Sequence, residues 1–251
     1  MKINDDIIQV IDYLVNAISN GKYLYYQVSY IPETKLDDKE FLNRLNTKIR
    51  EKYQTNKTKS ERLNLRRRNM ARFLAVRYKH ILILLKTEGA SEIGVKEKWE
   101  DIRKQKIELK ISNHTSYLIG LGVSKKQGVK HKTLPSKVTV TLSNETYNLI
   151  KMSCIEAIRA KKSIPLLLYE WNKINGFNGW SGINLQKQQL RDYLANEVCR
   201  NFGMKKKEAR KLFRVNTFRA KAQKSLDKAF LEEATENRPN GPPVVNKGLQ
   251  V

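Results

Sequence analysis

The sequence predicts an α+β fold, mixed in its front half and mostly helical behind. Three observations carry that prediction. Apolar residues recur at helical spacing in 5–18 and again after residue 143, whereas 22–31 and 137–142 have strand character. The stretch 183–234 is basic and reads as helical throughout.

Taken in order, Ile7, Ile8, Ile11, Leu14, Val15 and Ile18 form one helical stripe, with Asn4, Asp5 and Asp6 suited to its start. Asn20-Gly21 ends that helix. The Tyr- and Val-rich run KYLYYQVSYI, 22–31, reads as a strand closed by Pro32. Residues 37–53 form a second helix, with Asp37, Asp38 and Glu40 where the helix dipole favours acids. Residues 60–86 fit a long basic helix through Met70, Phe73, Leu74, Ile81, Leu84 and Leu85, although FLAV and ILILL also read as strands. Residues 95–104 fit a short helix, and 106–111 with 116–121 a hairpin turning at Ser112-Asn113-His114. The basic segment 124–136 marks a domain boundary. Residues 235–251, Pro- and Gly-rich and aperiodic, read as a disordered tail.

Charge is the outlier. Forty-nine Lys and Arg stand against 25 Asp and Glu, a net +24 that polyanionic partners would relieve. Residues 1–53 are neutral, so the surplus lies wholly behind them. It gathers in 57–79 (with Arg66, Arg67 and Arg68), in 109–144, and in 200–224. Cys154 and Cys199 lack CxxC spacing, and His80, His114 and His131 lack HxxxH or HxH spacing, so no metal or other cofactor is expected. No apolar run approaches the roughly 20 residues of a membrane span, and the acidic start does not fit a signal peptide. A cytoplasmic or nucleoid-associated protein is expected, neither secreted nor membrane-bound.

The most informative segment is KVTVTL at 137–142. Val138, Val140 and Leu142 share one face, and Lys137, Thr139 and Thr141 the other. Ser143 or Asn144 caps a helix striped by Tyr147, Ile150, Cys154 and Ile158. Ser163 caps a second helix, with Pro165 in its first turn and Asn175-Gly176 at its end. This strand and two helices, with the run K-V-T-V-T-L-S-N-E-x-Y-x-L-I, resemble the ribbon-helix-helix family of DNA-binding proteins (the Arc and MetJ type) over residues 136–175. The resemblance implies a homodimer whose paired strands enter the major groove. Lys137, Thr139 and Thr141 would then read base edges, and Ser163 would sit where a helix N-terminus holds a phosphate. The link Arg159-Ala160-Lys161-Lys162 departs from the family, being longer than usual and without its glycine, which leaves the helix crossing and the dimer open. An ordinary edge strand packed on a helix fits the same residues.

Residues 195–214 also resemble a helix-turn-helix. Gly203 falls at the turn, and the second helix displays Lys205, Lys206, Lys207, Arg210, Lys211 and Arg214. A basic helical pair that grips phosphates without reading bases fits equally. Glu108 and Lys110, with Glu100 and Asp101 upstream, resemble a metal-dependent nuclease site. Phe177 and Trp180 are candidates for stacking on bases. The expected organisation is an α+β module at 1–123, a ribbon-helix-helix-like module at 136–175 and a basic helical module at 183–234. The expected function is DNA binding without catalysis, in regulation, replication or maintenance of a plasmid-like element. A nuclease and an RNA-binding protein are the alternatives.

Overall fold

A computed structural model of the chain describes residues 2–122 and 137–220. The expected boundary loop at 124–136 and tail at 235–251 lie outside the described residues, as does the helical module beyond residue 220.

The α+β class holds. Helix α1 (Ile7–Gly21) is capped by the Asp6 carboxylate, which accepts from the Ile8 amide at 2.8 Å. It buries Val10, Ile11, Leu14 and Ile18. Strand β1 (Lys2–Ile3) precedes it and β2 (Tyr23–Tyr30) follows. Helix α2 (Lys39–Tyr53) starts at Asp38, and α3 (Lys59–Arg67) at a capping box between Thr58 and Glu61.

The long helix expected over 60–86 is instead α3 followed by a hairpin, β3 (Phe73–Tyr78) and β4 (Ile81–Thr87). Asn69 stops α3: at φ 52° it takes the left-handed position, and the Met70 amide reaches back to the Leu65 carbonyl at 2.9 Å. The hairpin imitated a helix because it is buried on both faces. Leu74, Val76, Ile81, Ile83 and Leu85 enter the main core, while Phe73, Ala75, Leu82 and Leu84 enter a second cluster beneath α2. A strand covered on both sides loses the alternation that identifies it.

With β5 (Glu100–Asp101), these strands form a sheet of order β1-β3-β4-β2-β5, antiparallel except where β1 meets β3. The short helix expected at 95–104 is replaced by this edge strand and turns. Trp99 packs there on Tyr53 and Phe73, while Ile102 enters the main core.

Strands β6 (Ile107–Ser112) and β7 (Thr115–Gly122) form the expected hairpin, and β8 (Lys137–Leu142) pairs with β7 to complete a second antiparallel sheet. Ile107, Leu109, Ile119, Val138, Val140 and Leu142 give that sheet a buried apolar side. Helices α4 (Asn144–Arg159), α5 (Ile164–Asn175), α6 (Ser181–Phe202) and α7 (Lys206–Leu212) contribute to the core around it. One hydrophobic cluster runs from Val10 to Phe213. The three modules expected from the sequence therefore share a core, because β8 supplies a strand to the front-half hairpin rather than opening a domain of its own.

Candidate nucleic-acid interface

The two halves of the ribbon-helix-helix expectation fare differently in this fold. The helices start where expected: the Ser143 hydroxyl accepts from the Thr146 amide at 3.1 Å, and the Ser163 hydroxyl from the Leu166 amide at 3.3 Å. Strand β8 does not stand ready to pair with a second copy. One edge is bonded to β7, and the other is covered at Val140–Leu142 by the start of α6. The Gln186 side-chain amide imitates a neighbouring strand, accepting from the Leu142 amide at 2.9 Å and donating to its carbonyl at 3.1 Å. Gly182 lies so close to the Val140 carbonyl and the Thr141 methyl that a Cβ there would collide with both. A second chain could pair along this stretch only by displacing α6.

The readers expected on β8 are correspondingly constrained. Lys137 is exposed, whereas Thr139 and Thr141 are half-buried. The Thr139 hydroxyl points back to the Gly120 carbonyl at 3.4 Å. Ser163 is half-buried and its hydroxyl caps its own helix. Trp180 is not a base platform: it is buried, its Nε1 donates to Asp12 at 3.0 Å, and it meets Tyr117 edge-on at 5.9 Å. Phe177 packs edge-on against the same tyrosine.

The fold assembles its cations elsewhere. Helix α6 ends at Gly203, whose φ of 67° serves the turn, and α7 follows at once. Ala209 and Phe213 anchor α7, the latter edge-on against Trp171 at 5.5 Å. Anchored on that side, α7 leaves Lys205, Lys206, Lys207, Arg210, Lys211 and Arg214 exposed. Arg210 is engaged by Asp192 at 2.8 Å, which holds that carboxyl below the usual range. None of the ion pairs among the described residues involves the other five.

The link between α4 and α5 adjoins this surface. Lys162 Nζ donates to Asn201 Oδ1 at 3.1 Å, and Arg159 grips the buried Glu197 through Nε at 2.9 Å and an Nη at 2.7 Å. Arg200 approaches the same carboxylate at 3.5 Å. Glu197 thus orders two arginines at the end of α6, while Lys161 stays exposed beside them. The sequence reading had Lys161 and Lys162 only as a departure from a family pattern. Their neighbours lie about 40 positions further along the chain, so no local pattern joined them.

Lys187 was also missed, and it positions Arg214. Fully buried, its Nζ donates to the carbonyls of Asn175 (3.0 Å), Phe177 (2.7 Å) and Asn216 (2.8 Å). Asn175 in turn bonds the Arg214 carbonyl and the Asn216 amide. The segment after α7 is therefore tied down on both sides of Arg214.

Arg66, Arg67 and Arg68 lie at the end of α3, exposed and outside every ion pair among the described residues. They belong to the α2–α3 side of the first sheet. Of the acids in the nuclease alternative, Asp101 is taken up by Arg103 at 2.8 Å, and Arg103 also holds Glu88 at 2.7 Å. Among the described residues, no three His, Cys, Asp or Glu side chains are gathered to hold a metal. No helix among them is long and apolar enough to cross a membrane. Comparison with protein-family models, with curated proteins and with solved structures finds no match to this chain.

Proposed function

We propose that the protein binds DNA by gripping its phosphate backbone with the surface built from α7, the end of α6 and the α4–α5 link. One observation carries this reading. Among the described residues, Lys205, Lys206, Lys207, Lys211 and Arg214 are exposed without acidic partners, while Arg159, Arg200 and Arg210 are already matched to Glu197 and Asp192. Unmatched cations held at fixed spacing are what a polyanion neutralises, with release of its counterions. Helix α7 has seven residues, about 10 Å of axis, so it offers few side chains to base edges and many to phosphates. The covered edge of β8 points the same way, towards backbone contacts and away from a paired ribbon.

The test is competition at physiological salt between a random-sequence DNA duplex, the matching single strand and an RNA duplex. The expected outcome is preferential binding of duplex DNA, with little sequence preference recovered by selection. Preferential binding of RNA would move the reading to RNA, and binding of none of the three would overturn it.

A further inference from the structure

A second basic feature lies away from α7. The end of α2, the start of α3 and the entry to β3 enclose a cleft of about 280 Å³, close to the lower limit of small-ligand sites, roughly 300 Å³. Its apolar wall includes Tyr53 and Phe73, tilted against each other at 5.7 Å, together with Leu65 and the half-exposed Met70. Lys57, Arg62 and Arg72 also line it, against the single acid Glu92.

Both arginines are held at their far ends. Arg62 donates to the Thr55 carbonyl at 3.1 Å and lies against the Tyr13 hydroxyl. Arg72 donates to the Gly21 carbonyl at 2.9 Å and sits over the Tyr23 ring at 5.5 Å. Each keeps a buried Nε with no hydrogen-bond partner among the described residues. Two anchored guanidinium groups, each with one unmatched Nε, lining a cleft with an aromatic wall, match an anion carrying a flat apolar group.

We infer that this cleft binds one nucleotide unit, its base against Tyr53 and Phe73 and its phosphate at Arg62 and Arg72. The inference rests on the nucleic-acid reading only in taking the flat group to be a base. A free mononucleotide and the phosphorylated end of a strand present the same chemistry. The exposed Arg66, Arg67 and Arg68 on α3 would follow the backbone of the latter.

The experiment is calorimetric titration of the full chain with adenosine 5′-monophosphate, adenosine, inorganic phosphate and a short oligo(dA) with or without a 5′ phosphate. The monophosphate is expected to bind, with adenosine and phosphate each weaker by at least about tenfold. Arg72→Gln should weaken it by about tenfold or more, as should Met70→Trp, which fills the cleft from its exposed rim and leaves both arginine anchors intact. The combined change Lys206→Ala, Lys207→Ala and Lys211→Ala should leave it unchanged, which separates this site from the α7 surface. Equal binding of the phosphorylated oligonucleotide supports the inference with a strand end as ligand, and binding of the monophosphate alone supports it with a free nucleotide. Absence of binding for both, or binding indifferent to Met70→Trp in a folded variant, overturns it.

Discussion

Removing three of the five unmatched cations on and flanking α7, Lys206, Lys207 and Lys211, should change the salt dependence of DNA binding by a calculable amount. Each phosphate neutralised on duplex DNA contributes about −0.9 to the slope of log affinity against log salt. Five contacts give a slope of about −4.5, so affinity should fall roughly 500-fold between 50 and 200 mM salt. With Lys206, Lys207 and Lys211 changed to Ala, two contacts remain, the slope becomes about −1.8, and the same step costs only about 12-fold. All three side chains are exposed, so the fold should survive the change. The assay is fluorescence anisotropy of a labelled duplex across a potassium chloride series, wild type beside variant. Equal slopes would mean that α7 does not touch the backbone, and the proposed interface would be wrong however tightly the protein bound.

Three further outcomes follow from particular contacts. Thr139→Ala should leave DNA affinity unchanged at every sequence, because its hydroxyl faces Gly120; a loss confined to one base position in a binding-site selection would restore β8 as a reader. Lys187→Met keeps the volume but leaves three carbonyls without their donor, so stability should fall by about 3 kcal/mol and Tm by roughly 6–12 °C in a calorimetric scan. A shift below about 2 °C would show that the Lys187 bonds contribute little. Burial pushes Tyr13, Tyr53 and Tyr117 up to about 12, above their ordinary 10.0. Between those values the folded chain keeps phenolic protons that the unfolded chain loses, so stability present below pH 10 should decline as pH rises towards 12, by up to about 4 kcal/mol per pH unit. Absorbance at 295 nm should show these tyrosines ionising together with unfolding; titration of all tyrosines near pH 10 in a folded chain would contradict their burial.

Local signals in the sequence located helix starts because caps are local chemistry. Asp6, Ser143 and Ser163 each accept from an amide in the first turn of the helix they precede, as their positions predicted, and Asp38, expected inside the first turn, caps its helix instead. Asn69 is an equally local stop, but the apolar run behind it fits a continued helix and hides it. Leu82 and Leu84 belong to one cluster and Ile81, Ile83 and Leu85 to another, and a period of two cannot be seen when both phases are apolar.

The edge of β8 illustrates the other limit. Val138, Val140 and Leu142 showed which face was buried, but hydropathy says nothing about which edge is free, since edges are made of backbone. What closes this edge is a glutamine and a glycine more than 40 residues on, neither remarkable in composition: Gln186 supplies both halves of a peptide group, and Gly182 supplies the missing side chain that lets α6 approach. The cations follow the same logic. Their excess is a sum and survives any folding, so the surplus of positive charge was legible from composition. Which of them stay unmatched depends on where a few acids fall. Asp192 and Glu197 on α6 take up Arg210, Arg159 and Arg200, and leave Lys205, Lys206, Lys207, Lys211 and Arg214 exposed and outside every ion pair among the described residues. The proposed surface is therefore defined as much by two carboxylates as by the lysines themselves. Replacing either acid would free two arginines, Arg191 and Arg210 at Asp192 or Arg159 and Arg200 at Glu197.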